Sequence, residues 1–157
     1  MLQFFSASTS IVNSRRAITE CLEIALEGEP NLDCDLIIVY TAMGHNFKEL
    51  LNEAHILSPN AQVVGCTCAG IIGNEGPNES LRALGIMAIK GPKEEFAVSG
   101  LSFSTNTDPT ETASQLARDL KNKNPDINMI FCHPSILQSS RRLIEGIESV
   151  FGPDIPI

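Results

Sequence analysis

The middle of the chain carries the run Val63-Val64-Gly65-Cys66-Thr67-Cys68-Ala69-Gly70-Ile71-Ile72-Gly73. It opens as a short apolar, β-branched run, breaks at a glycine, and continues in small residues with thiol or hydroxyl tips. A buried strand that stops in small residues lets backbone amides and short side chains approach a ligand closely. In an open α/β sheet, ligands bind at that carboxyl end of the strands. The stretch therefore predicts a strand followed by a loop that floors a binding site.

Upstream, residues 2–7 read as a short strand that Ser8-Thr9-Ser10 breaks. Asn13 or Ser14 can cap a helix whose inner face is Ala17, Ile18, Cys21, Leu22, Ala25 and Leu26. Gly28 and Pro30 stop it. Residues 34–40 form a continuous apolar run after Asp35, the mark of a strand buried on both faces. Asn46 and Glu49 pair as N-cap and third helical residue of a second helix, with Phe47, Leu50, Leu51 and Ala54 inward. Pro59-Asn60 ends that helix and residues 61–66 return as a strand. The order β-α-β-α-β points to parallel neighbours joined by right-handed crossovers.

Downstream, residues 74–80 have loop chemistry. Residues 81–90 and 96–104 read as two strands around Gly91-Pro92-Lys93-Glu94-Glu95, a separation short enough to predict an antiparallel hairpin. Asp108-Pro109-Thr110-Glu111 is a strong helix start, with Ala113, Leu116, Ala117 and Leu120 facing inward. Residues 127–132 read as a further buried strand, and His133-Pro134 turns the chain into a last helix carrying Leu143, Ile144, Ile147, Val150 and Phe151. Gly152-Pro153 closes it, and Asp154-Ile155-Pro156-Ile157 reads as the beginning of another strand. The expectation is one α/β domain over residues 1–157, cut from something longer. Its sheet is mixed and mostly parallel, with helices on both faces and an antiparallel hairpin.

The composition narrows the function. Hydrophobic residues make up 43% of the 157 residues, enough for a packed core. A net charge of −8 argues against nucleic acid, because phosphate binding needs clustered Lys and Arg. The nearest such clusters are the single pairs Arg15-Arg16 and Arg141-Arg142, which read as solvated helix faces. No run approaches the roughly 20 apolar residues of a membrane span, and the first residues lack the basic start of a signal peptide. Five scattered cysteines are an odd count, which fits a reducing cytoplasm and free thiols that pack as small hydrophobes.

Several chemistries compete for the small-residue loop. Gly65, Gly70 and Gly73 match neither a P-loop nor a dinucleotide fingerprint, and no helix opens after them to hold an anion. No cofactor is expected. Cys68 loosely imitates a nucleophile elbow, and His133 is the one attractive base for it or for Cys66. A cysteine-dependent enzyme is thus the alternative reading, ranked below binding because buried, inert cysteine is the common case. Cys66, Cys68, Cys132 and His133 lack the paired spacings that structural zinc prefers, so no metal site is expected. A Cys66–Cys68 bridge would be strained. His45, in the loop before the second helix, reads as a surface histidine, and an acidic scaffold that only recruits partners is a third reading.

Ala7-Ser8-Thr9-Ser10, Gly65-Cys66-Thr67-Cys68-Ala69-Gly70 and Phe151-Gly152-Pro153-Asp154-Ile155-Pro156 occur in the order seen in the FIST sensory domain, and the chain resembles the N-terminal half of such a module. The resemblance implies an intracellular sensor of small molecules, such as amino acids, in bacterial signal transduction. It also implies two partners in the same protein, a C-terminal FIST half and a downstream signalling domain. Two positions depart from the pattern: Ile71 stands where the family commonly has an acidic residue, and Cys68 where it more often has Thr. The ligand site is expected to be lined by Ser8, Thr9, Thr41, Cys66, Thr67, Cys68, Ala69, Gly70 and His133.

Overall fold

The computed structural model describes residues 1–73, 76–101, 107–134 and 139–157, the Lys93 side chain excepted. The chain divides into two compact units, Met1–Pro92 and Lys93–Ile157.

In chain order the first unit holds β1 (Gln3–Thr9), α1 (Ser14–Ala25), β2 (Leu36–Thr41), α2 (Phe47–Leu57), β3 (Gln62–Thr67), β4 (Ile71–Gly73), β5 (Gly76–Asn78) and β6 (Leu84–Lys90). The caps are those the sequence names. Asn13 accepts from the Arg16 N–H at 3.0 Å, and Asn46 accepts from Lys48 and Glu49 at 3.1 and 3.2 Å. Each cap stabilises its helix by about 1 kcal/mol. Ala17, Ile18, Cys21, Leu22 and Ala25 form the buried stripe of α1, as their spacing requires. In α2 only Leu50 and Ala54 are buried; Phe47 and Leu51 are more than two-fifths exposed.

The α/β class and the mixed sheet hold. The strand order is β1-β6-β2-β3, with β4 and β5 as a separate antiparallel pair. β6 lies between β1 and β2, antiparallel to both, and β2–β3 is the parallel pair. Pairing is therefore mostly antiparallel where parallel neighbours were expected. The crossovers still set the directions: β1, β2 and β3 all run the same way, and β6 runs against them. Because both sides of β6 are occupied, a returning strand has no edge beside it. Residues 96–101 are accordingly irregular rather than the second arm of a hairpin, and 102–104 lie outside the described residues.

Alternation along the strands separates two faces. Phe5, Ala7, Ile37, Val39, Val63, Leu84, Ile86 and Ala88 meet α1 and α2 in the core. Burying Ile18 or Leu22 there contributes about 1.5–3 kcal/mol each. Within this unit both helices cover that one face. Register places Phe4, Ile38, Tyr40, Val64, Cys66 and Met87 on the other.

The second unit contains α3 (Pro109–Lys123) and α4 (Ser140–Phe151). Asp108 caps α3 through the Thr110 N–H at 2.8 Å, with Pro109 at the first position, as read from the sequence. The two helices approach closely at Gly146, where an added Cβ would lie 2.4 Å from the Thr110 carbonyl oxygen. The Ser114 hydroxyl lies 3.0 and 3.1 Å from the Thr110 and Gly146 carbonyls. Ala113, Ile130, Leu143 and Ile147 form the small core. Residues 127–132, expected as a strand, have no regular secondary structure. Ile130 donates to the Pro156 carbonyl at 2.9 Å, but proline has no N–H to return, so no ladder propagates there.

Candidate functional site

β1, β2 and β3 end at one edge of the first unit's sheet. The register aligns Thr9 with Leu84, Leu84 with Thr41, and Thr41 with Thr67, one row across the four strands. The Cys68 N–H donates to the Thr41 carbonyl at 3.0 Å, so pairing runs one residue beyond β3 into the loop. Ser8, Thr9, Thr41, Cys66, Thr67, Cys68, Ala69 and Gly70 thus gather at the carboxyl tips. His133 belongs to the second unit, exposed in an irregular segment rather than at a strand end.

The tip residues divide between the two faces. Thr9, Thr41 and Thr67 lie on the helix side. The Thr9 hydroxyl donates to Glu20 of α1 at 3.0 Å and accepts from the Ile11 N–H, while buried Thr41 donates to the Ala42 carbonyl at 3.2 Å. The Thr9 bond ties β1 to α1, the Thr41 bond is local, and Thr67 is exposed. Ser8, Cys66 and Cys68 lie on the other side with Tyr40, whose register partner is Cys66. Tyr40 carries no signal in the sequence beyond its place in an apolar run, because strand register is what sets it beside the thiols.

Glycine keeps this edge tight at two points. A Cβ at Gly65 would stand 2.0 Å from the Val39 carbonyl oxygen, so any side chain there forces β3 away from β2. A Cβ at Gly70 would stand 2.9 Å from the Asn78 carbonyl and 3.2 Å from the Glu79 Cγ. The loop therefore lies directly against the end of β5, and Glu79 brings a carboxylate beside it. Ile71 packs against Gly85, its nearest atom 3.5 Å from the position of an added Cβ there.

The thiols are protonated at neutral pH. Burial pushes Cys66 up, with Cys68 adding to it. Burial also pushes Cys68 up against the opposing Gly70 backbone hydrogen bond. Burial raises Tyr40 too, helped by both cysteines. An activated cysteine nucleophile needs the opposite shift, from a nearby cation or helix N-terminus.

His45 is not a surface histidine. It is 6% exposed, with Nε2 3.0 Å from the Arg82 carbonyl and Nδ1 3.3 Å from the Ser14 hydroxyl. A carbonyl can only accept, so Nε2 carries a proton. Ser14 also accepts from the Asn46 N–H at 3.0 Å, and Arg82 reaches the Gly44 carbonyl. This knot ties the starts of α1 and α2 to the segment entering β6. Two shallow hollows lie away from the tips. One of about 390 Å³ sits among Pro30, Asn31, Asp33, Pro59, Asn60 and Lys90, at the opposite ends of the strands. The other, about 300 Å³, lies along α1 and α2 by Arg15, Glu20 and Glu53. Neither hollow is lined by the strand-tip residues.

Comparison with protein families matches the FIST N domain over residues 35–157, most of the chain. The chain belongs to the FIST family. FIST domains are sensory domains, and a sensory role follows for this one. The matched residues include Thr41, the Cys66 to Gly70 loop and His133, and they exclude Ser8 and Thr9. No curated protein and no solved structure matches the chain. No helix among the described residues is long and apolar enough to cross a membrane.

Proposed function

We propose that this FIST N domain binds a small polar metabolite, an amino acid or a close relative, at the carboxyl tips of β1, β2 and β3. The signal passes to a C-terminal FIST half and an output domain of a bacterial signalling protein in the cytoplasm. The observation that carries the reading is the row from Thr9 to Thr67, which collects small polar residues from three same-direction strands at one edge. Exposed Thr67 and Ala69 offer a hydroxyl and close backbone approach. Ile71 is engaged in packing, so Glu79, beside Gly70, is the carboxylate that meets a ligand amine. A second domain covering the strand tips would complete the site, since ligand pockets concentrate at domain interfaces.

A thermal-shift panel of amino acids and related amines on the full-length protein tests this, because a ligand that binds only the folded state raises its stability. Thr67→Ala should weaken binding about 10-fold, the worth of one hydrogen bond near 1.4 kcal/mol. Glu79→Gln should weaken amine ligands about 10–100-fold, the range of a charged hydrogen bond. His133→Ala is a separate arm that asks whether the imidazole takes part. Stabilisation that survives both Thr67→Ala and Glu79→Gln would refute the site.

A further inference from the structure

Cys66 lies in β3 and Cys68 directly follows its end at Thr67, and the Cys68 N–H to Thr41 bond, the last of the β2–β3 ladder, holds that amide in line with the strand. Alternation then puts the two thiols on the same face, where both bear on Tyr40. Both are half-buried. Cys21 and Cys34 are sealed in the core of the first unit, and Cys132 belongs to the second unit.

Residues two apart on a strand are separated by about 6.6 Å. A disulfide needs its Cβ atoms within about 4.5 Å, so the pair cannot close on itself without moving the backbone. A linear sulfur–metal–sulfur unit with bonds of about 2.3 Å spans about 4.6 Å, and each sulfur need lean inward by only about 1 Å. No group of three or more His, Cys, Asp or Glu side chains that could hold a metal occurs among the described residues, so the ligand set of a tetrahedral zinc site is not supplied there. Two soft thiolates, with no third His, Cys, Asp or Glu donor beside them among the described residues, select Cu(I) among the biological cations.

We infer that Cys66 and Cys68 form a two-coordinate site for a thiophilic monovalent cation, Cu(I), on the face of the sheet shared with Tyr40. Binding forms two Cu–S bonds and releases the two thiol protons to solvent; no electron changes hands. Tyr40, in register with Cys66, flanks the pair and limits access by water. The thiols lie on the opposite face of the strand from the Thr67 side chain, so the metabolite test through Thr67 and Glu79 reads different groups.

The test titrates the full chain with Cu(I) held by a colorimetric chelator under anaerobic, reducing conditions. The expected result is one Cu(I) per chain and an affinity loss of at least 100-fold in Cys66→Ser and in Cys68→Ser, the size of a lost chelate. Cys132→Ser should bind as the parent does. The parent alone gives a second readout that needs no variant. Below the thiol titration range, log affinity should climb by about two per pH unit, because two protons leave. Retained affinity in Cys66→Ser or Cys68→Ser, a slope near one, or a comparable loss in Cys132→Ser would overturn the site. None of these outcomes alters the Thr67 and Glu79 arms of the metabolite test.

Discussion

At the scale of single residues, the edge depends on groups that bond to the protein as much as on groups that face outward. His45 joins the Ser14 hydroxyl to the Arg82 carbonyl in a buried setting. His45→Ala leaves both partners short of a bond and should lower stability by about 1–3 kcal/mol, read as a fall in the urea midpoint. An unchanged midpoint would show that the knot contributes nothing. The thiols give a second prediction. Burial raises Cys66 and Cys68, so the thiolate fraction at neutral pH is below that of a free cysteine. Iodoacetamide should modify them more slowly than it modifies glutathione at pH 7, with a rate that is still climbing above the ordinary thiol value of 9.0 instead of levelling off there. Fast modification at pH 7 would instead revive the cysteine-enzyme reading. The sequence could name these residues, but burial and hydrogen bonding decided which of them serve structure. Thr9 and His45 show how a candidate polar side chain becomes a fastening once a helix packs beside it.

At the scale of elements, local signals were legible and pairing was not. Caps at Asn13, Asn46 and Asp108 mark helix starts from sequence because each satisfies nearby amides within three residues. The place of β6 between β1 and β2 is a long-range fact, decided by which edge a later strand can reach, and no local period encodes it. The same gap explains residues 127–132, where an apolar run reads as a strand but its neighbour is a proline-bearing segment. Of the candidate site, the Cys66 to Gly70 loop was legible through its small residues, and the Tyr40 neighbourhood was not, because parallel register is invisible in one chain. Within the second unit, α3 and α4 meet at Gly146 with no room for a side chain. Gly146→Val should therefore destabilise that unit by at least about 1–3 kcal/mol, the usual cost of overpacking. Thermal unfolding followed by helical circular dichroism reads the loss, and a parent-like melt would show that the helices can separate freely.

At the scale of the whole molecule, stability should depend on pH in a way the shifted groups fix. Burial raises Cys34, Cys66 and Cys68, and the Glu29 hydrogen bond raises Lys90. A raised folded value gives stability that is full below the unfolded value and lost as pH climbs through the folded one. All four act in the same direction, so the urea midpoint should be flat near neutrality and fall above pH 9.0, the ordinary thiol value. Asp119 is lowered by Lys123 and Ser99, so its contribution disappears as pH falls below the carboxylate value of 3.8. A midpoint that rises above pH 9 would contradict the alkaline assignment.

The sensory reading rests on ligand meeting the protein where β1, β2 and β3 end. Amide chemical-shift mapping of the ¹⁵N-labelled protein, titrated with whichever amine or amino acid gives the largest thermal shift, addresses that most directly. The expected perturbations cluster at Thr9, Thr41, Thr67, Cys68, Ala69 and Gly70. Perturbations centred instead on Gln3, Leu36, Gln62 and Lys90, at the other ends of the same strands, would contradict the account.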